Sequence, residues 1–351
     1  MEVWMGDYYS VRWEAGVVKI LDQRLLPHEE KYLDFQQCED VAEAIQTMII
    51  RGAPAIGIAA GFGLALTAFH SSAGEKDLLV KELEISADRL RKSRPTAVNL
   101  FGAIDRIMQM VYQTNELDVS QIVNLVVKEA LEIADEDFQM NKSIGLNGQQ
   151  FIPDKANLIH HCNTGALATG GYGTALGVIR TAHELGKQVH VYVDETRPRL
   201  QGARLTSWEL KQLGIPHTVI VDGASGYIMR HVRIDACLVG CDRIAANGDV
   251  ANKIGTYNLA LAASAHGVPF FSVGPITTID LSIANGDDIP IEERSEREVT
   301  HIGDEQITPD DVKVANPAFD VTPAKYITAI ITNKGIAYPP YKKSLFDLMN
   351  G

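Results

Sequence analysis

The chain has 351 residues, 46% hydrophobic and 22% charged, the balance of an ordinary soluble protein long enough for two domains or one large α/β domain. A formal net charge of −13 excludes a broad basic surface for nucleic acid, so any phosphate site must be local, built from a few arginines, lysines and backbone donors. No apolar run approaches the roughly 20 residues of a membrane span, and no basic-then-apolar leader opens the chain, so the expected location is cytoplasmic.

Turn residues separating short alternating runs predict an antiparallel meander over 11–13, 17–21 and 31–35. From Asp40 the period becomes helical, with Val41, Ala44, Ile45, Met48 and Ile49 on one face. Arg51-Gly52-Ala53-Pro54 breaks that helix, and a helix rich in alanine and glycine follows over 55–69, its small residues permitting close packing. Further helices are expected at 76–93, 97–114 and 120–146. From residue 156 strands and helices alternate, which predicts a parallel sheet. The expected strands are 156–162, 188–194, 217–221, 236–241 and 269–273, with helices at 174–185, 200–213, 225–232 and 256–266. A polar loop over 285–311 and a strand or helix over 325–332 complete the pattern. The fold class is α/β: residues 1–150 form a mainly helical domain with a small antiparallel sheet, and residues 151–351 a Rossmann-like domain with a parallel sheet.

The stretch from His160 to Gly177 organises the second half. An apolar strand delivers His160-His161-Cys162-Asn163-Thr164-Gly165 at its carboxyl end, glycines follow, and a helix opens at Ala175. Open α/β sheets build ligand sites in this way, with glycines letting backbone N–H groups approach an anion and the helix N-terminus adding partial positive charge. The same field would bias Cys162 toward thiolate; the alternative is a plain turn with an inert buried cysteine. Gly171-Tyr172-Gly173 with Asp194 is a near miss for a dinucleotide fingerprint, but residues 163–170 intervene between strand and glycines. The four cysteines, Cys38, Cys162, Cys237 and Cys241, form neither a disulfide framework nor a zinc pattern.

Three other stretches carry chemistry. Arg51 with Gly52 at a helix start, and Arg94 before Pro95, offer planar forks and backbone donors for a phosphate in a cleft between the domains. Past the second sheet strand, Gln201 stands in the first turn of a helix, where it could bond sugar hydroxyls or phosphate, while Arg197, Arg199 and Arg204 could pair with Asp194 and Glu195. Asn247-Gly248 signals a two-residue hairpin that would set Asp242 opposite Lys253 and Arg243 opposite Asn252, either a general acid/base beside a ligand or a plain salt bridge.

Together, Arg51-Gly52-Ala53-Pro54-Ala55-Ile56-Gly57, His161-Cys162-Asn163-Thr164-Gly165, Glu195-Thr196-Arg197-Pro198, Gln201-Gly202-Ala203-Arg204, Gly240-Cys241-Asp242-Arg243-Ile244, Asn252-Lys253-Ile254-Gly255-Thr256 and Asn316-Pro317-Ala318-Phe319-Asp320 resemble the methylthioribose-1-phosphate isomerase family over essentially the whole chain. The resemblance implies conversion of 5-methylthioribose 1-phosphate to 5-methylthioribulose 1-phosphate in methionine salvage, by a homodimer with neither metal nor nucleotide cofactor. It implies substrate contacts at Arg51, Gly52, Ala53, Arg94, Gln201, Asn252 and Lys253, and catalytic roles for Cys162 and Asp242, the latter as proton donor. Two alternatives share the fold: a ribose 1,5-bisphosphate isomerase, and the non-catalytic regulatory subunits of the translation-initiation nucleotide exchange factor. Tyr8, Trp13 and Phe35 are candidates to line the methylthio pocket.

Overall fold

The computed structural model describes residues 8–94, 97–114 and 117–350. Two compact units divide the chain: residues 1–139 with 166–173, and residues 140–165 with 174–351. This division places the boundary inside a helix and assigns part of the glycine-rich stretch to the first unit.

In the first unit β1 (Val11–Glu14), β2 (Val17–Leu21) and β3 (Tyr32–Phe35) form the antiparallel meander, with Val11 opposite Ile20 and Val18 opposite Phe35. The helices are α1 (Cys38–Gln46), α2 (Ala53–His70), α3 (Lys76–Ser93), α4 (Val98–Tyr112) and α5 (Val119–Gly148), the last running on into the second unit. They lie where the residue pattern placed helices, except that α1 ends at Gln46, so Met48, left-handed at φ 59°, and Ile49 fall beyond it. Helix α2 is apolar all round because α1, α3, α4 and the meander surround it, so Ile56, Leu64 and Leu66 are buried whichever way they point. Its 18 residues make it the one described helix long and apolar enough to cross a bilayer, a length the sequence reading had not credited, and most of it is buried within the protein. Glycine sets its approach to α4: a Cβ at Gly57 would stand 2.9 Å from the Asn99 carbonyl oxygen.

The second unit is built on β4 (Lys155–His160), β5 (Gln188–Asp194), β6 (His217–Ile220) and β7 (Ala236–Val239), then the short β8 (Arg243–Ala245) and β9 (Val250–Lys253), and β10 (Phe270–Val273). Helices α6 (Ala175–Glu184), α7 (Ser207–Gln212), α8 (Ser225–His231) and α9 (Thr256–His266) connect them. Then come β11 (Ile279–Asp280), α10 (Arg297–Thr300), the hairpin β12 (His301–Ile302) and β13 (Glu305–Gln306), β14 (Phe319–Thr322), β15 (Ala329–Thr332), β16 (Gly335–Ala337) and α11 (Tyr341–Asn350). The undecided segment at 325–332 is thus a strand at its carboxyl end. The expected helix over 200–213 begins with a π-helical stretch, Gly202–Thr206, before α7.

The main sheet runs β16-β15-β10-β7-β4-β5-β6, parallel except for β16. Strand alternation sends Leu158, Leu238 and Phe271 to one face with α6, and Ile159, Cys237 and Phe270 to the other with α8, α9 and α11. Both faces are covered, which is why these strands read as continuous apolar runs. From β4 the chain winds one way through β5 and β6 and the other way through β7, β10 and β15. The reversal lies between β4 and β7, the position where open α/β sheets bind ligands beyond their carboxyl ends.

Candidate active site

At the carboxyl end of β4, Cys162 is buried and its backbone lies in the left-handed region at φ 68°. A non-glycine residue held there costs roughly 1–3 kcal/mol. Two threonines hold it: Thr196 Oγ1 accepts from the Cys162 N–H at 2.8 Å, and the Thr206 hydroxyl donates to the Cys162 carbonyl at 2.6 Å. Thr196 and Leu200 are left-handed too, at φ 63° and 58°, so the turns beyond β4 and β5 gather three such residues. Asn163 donates to Glu209 Oε1 at 2.6 Å, and a Cβ at Gly165 would meet that carboxylate at 2.4 Å. Glycine at 165 is therefore a packing requirement.

Burial lowers the His160 pKa to about 4, only partly opposed by its hydrogen bond to the Leu238 carbonyl, so that ring is neutral at pH 7. His161 behaves differently. Burial works against its charged form, but the hydrogen bond to Asp194 and the charges of Asp194 and Asp222 outweigh that and raise its pKa. Burial likewise raises Asp194 against the pull of His161 and of Ser225, whose hydroxyl donates to it at 2.7 Å. Ligand atoms of His161, Asp194 and Asp222 lie within 4.8 Å of one another. Each is already engaged, however: both ring nitrogens of His161 and both oxygens of Asp194 have protein partners, and Asp222 accepts from the N–H groups of Thr196 and Arg197. The group is a closed hydrogen-bond network.

Beyond β7 the chain passes Gly240 and Asp242 into the β8–β9 hairpin. A Cβ at Gly240 would fall 2.8 Å from Thr164 Cγ2 and 3.6 Å from Asn252 Oδ1, so the β4 end and the hairpin meet across this glycine. Asp242 is exposed, open to a ligand, and its N–H donates to the Ala251 carbonyl. The expected hairpin register is wrong by one residue. Arg243 pairs with Ala251, and the loop is the three residues Ala246-Asn247-Gly248, closed by the Gly248 N–H on the Ala245 carbonyl with Gly248 at φ 89°. Asp242 therefore does not face Lys253. Lys253 instead pairs with Phe319 on β14, donates to the Ala318 carbonyl at 2.9 Å and lies over the Phe319 ring. Asn252, buried, donates to Thr256 Oγ1 at 2.9 Å.

Gln201 is 7% exposed, and its Oε1 is buried without a hydrogen-bond partner, an acceptor held ready for a donor. It is carried by the turn after β5, where Gly202 packs so closely that a Cβ would overlap the Asp194 carbonyl. The second unit thus brings Cys162, Gln201, Asp242, Asn252 and Lys253 to the carboxyl edge of its sheet. Asp194 serves His161 rather than a ribose. Arg197 donates to the carbonyls of Pro198 and Val299, its charge also favouring ionised Glu195, and Arg199 pairs with Glu298.

In the first unit Arg51, half-buried, precedes α2, and Gly52 at φ 99° is its N-cap. A Cβ on Gly52 would lie 2.4 Å from the Ala168 carbonyl oxygen. Pro54 has no N–H, so the opening donors of α2 are those of Ala53 and Ala55, and a helix N-terminus is an end that favours anions in general. Arg94 ends α3, in the connection to α4, whose first turn lies against Gly57 of α2; the neighbouring Pro95 lies outside the described residues. Trp13 packs on Phe62 and Phe69, and Phe35 on the same core, which accounts for both without a ligand.

An open, mostly parallel α/β sheet with polar side chains beyond its carboxyl ends at the switch point defines the class. The profile of the initiation factor 2 subunit family matches residues 49–339, and the chain belongs to that family. A methylthioribose-1-phosphate isomerase from a Synechococcus species is 56% identical over 98% of this chain and 99% of its own. The crystal structure of 5-methylthioribose 1-phosphate isomerase from Pyrococcus horikoshii OT3 superposes with a TM-score of 0.94 at 48% identity, covering 97% of this chain and 96% of that one. That of translation initiation factor eIF-2B, subunit delta, from A. fulgidus gives 0.91 at 39% identity, covering 98% and 100%.

Proposed function

We infer that the protein is an aldose–ketose isomerase that converts 5-methylthioribose 1-phosphate to 5-methylthioribulose 1-phosphate in methionine salvage. The observation that carries this is the full-length identity, 56%, to a relative of that name. The initiation-factor likeness is weaker, at 39%.

The proposed site follows the reaction's needs. The anomeric oxygen carries the phosphate, so the sugar cannot open to a free aldehyde. Asp242 donates a proton to the ring oxygen as the C1–O bond breaks, leaving a phosphorylated, electron-poor C1 centre. Covering of the exposed carboxylate is left to the bound sugar phosphate. Arg51, Arg94 and the N–H groups at Gly52 and Ala53 bind the phosphate; Gln201, Asn252 and Lys253 bind the hydroxyls. Cys162 attends the C2 hydroxyl, taking its proton as the C2 carbonyl forms. As that carbonyl forms, the hydrogen on C2 leaves it, either directly to C1 as hydride or as a proton, by way of an enol phosphate that is reprotonated at C1. The hydride route requires a shielded cation rather than a strong base, and the burial of Cys162 favours it.

Substrate deuterated at C2 is expected to give product retaining deuterium at C1 in ordinary water; washout into solvent would establish the enol route. Turnover of methylthioribose 1-phosphate with little or none of ribose 1,5-bisphosphate is expected, and the reverse preference would overturn the substrate reading. We also propose a homodimer, to be checked by sedimentation at micromolar concentration, where a single monomer boundary would refute it.

A further inference from the structure

His161 lies between the Ile254 carbonyl and, with Asp194 ionised, a carboxylate, both of which accept a hydrogen bond. Its Nε2 is 2.8 Å from the Ile254 carbonyl oxygen, and its Nδ1 is 3.0 Å from Asp194 Oδ2. A neutral imidazole has one N–H and can satisfy one of them. The Ile254 contact requires the proton on Nε2, which would leave the Nδ1 lone pair against a carboxylate oxygen in a fully buried place. Ser225 already donates to the other oxygen of Asp194. The contact between Nδ1 and Oδ2 thus requires an additional proton.

We propose that His161 is a protonated positioning residue, an imidazolium clamped between Asp194 and Ile254 that fixes the Cys162 backbone relative to the Asn252–Lys253 strand. The clamp joins three strand ends. His161 and Cys162 directly follow β4, Asp194 ends β5, and Ile254 follows Lys253 at the end of β9. The ring lies flush against the turn into α9, where a Cβ at Gly255 would be 2.8 Å from His161 Cε1. That turn is held from the other side by Asp320 of β14, which accepts from the N–H groups of Gly255 and Tyr257.

The charged groups facing the ring are Asp194, Asp222 beyond β6, and Asp320, with neutral His160 beside it on β4. Three carboxylates and no cation among these account for retention of the proton. Because the folded value is raised above the ordinary 6.5, the clamp is fully present below that pH and is lost as pH rises through the raised value.

The effect on catalysis rests on the isomerase reading; the protonation state does not, so the two fail separately. The full-length protein, ¹⁵N-labelled at its 10 histidines, is compared by two-bond ¹H–¹⁵N correlation with the Asp194→Asn variant. In the wild type one buried histidine is expected to keep both nitrogens in the protonated range to a pH above the ordinary 6.5, where the other histidines lose a proton. In Asp194→Asn the amide donates to Nδ1, so the same ring becomes neutral with Nδ1 unprotonated and the bridge kept. Kinetically, Asp194→Ala should lower kcat/KM about tenfold or more, by leaving buried Nδ1 without a partner, while Asp194→Asn stays within about threefold of wild type. A wild-type ring whose Nδ1 is already unprotonated at or below pH 6.5 would overturn the proposal, as would an Asp194→Asn variant as impaired as Asp194→Ala. Should Asp194→Ala not fold, the spectra of the other two proteins still decide.

Discussion

Gly52 and Cys162 both occupy the left-handed region, at φ 99° and 68°, and they are held there by different means. At Gly52 the proposed task needs only backbone N–H groups near an anion, so glycine meets it without strain, and the Ala168 carbonyl fills the space a side chain would take. At Cys162 the proposed chemistry needs a side chain, so the chain accepts a strained backbone and offsets it with hydrogen bonds from Thr196 and Thr206. Strain tolerated by a residue other than glycine is the stronger pointer to chemistry, because nothing in packing alone asks for it.

The largest expected effect falls on the strand ends. Cys162→Gly should remove the reacting group while relieving the backbone. Its kcat should fall about 10²–10⁴-fold, as should that of Asp242→Asn, on the scale of a lost general acid or base. Thermal melting should show Cys162→Gly no less stable than wild type, despite the glycine. A clear loss of stability would mean that the left-handed turn is not strained and that packing holds the cysteine.

At the head of α2 the order reverses. Arg51→Ala should raise KM about 10–100-fold with a smaller change in kcat, the size of a lost charge-assisted hydrogen bond. Steady-state kinetics with unchanged KM would remove Arg51 from the phosphate site. Gly52→Ala should destabilise the fold by about 2 kcal/mol or more, since the new Cβ meets both a disfavoured φ and a backbone oxygen. A melting temperature equal to wild type would show that the Gly52 turn can shift, and that its form is not dictated by Ala168.

Much of this was legible in the residues. Local periodicity placed the meander and helices because each element's apolar pattern has its own period. Motif resemblance supplied the family and the candidate residues. The hairpin was located by Asn247-Gly248 but misregistered, because a left-handed Gly248 serves the three-residue bulged turn as well as the two-residue one. Only the closed β-ladder, with Arg243 opposite Ala251, distinguishes them. The Asp194–His161–Ser225 network was invisible for a related reason. Its members lie 33 and 31 residues apart, and no local pattern marks a buried polar contact between strand ends.

By itself, then, the sequence determined which segments are strands and helices, that a parallel sheet would carry polar residues at its carboxyl edge, and which family the chain resembles. The tertiary structure alone decided that β4 and β7 are neighbours flanking the switch point, that Lys253 belongs with Phe319 rather than Asp242, and that His161 meets two acceptors. Periodicity reports which face of an element is buried, whereas strand order and side-chain partners depend on long-range packing that residue spacing along the chain does not encode.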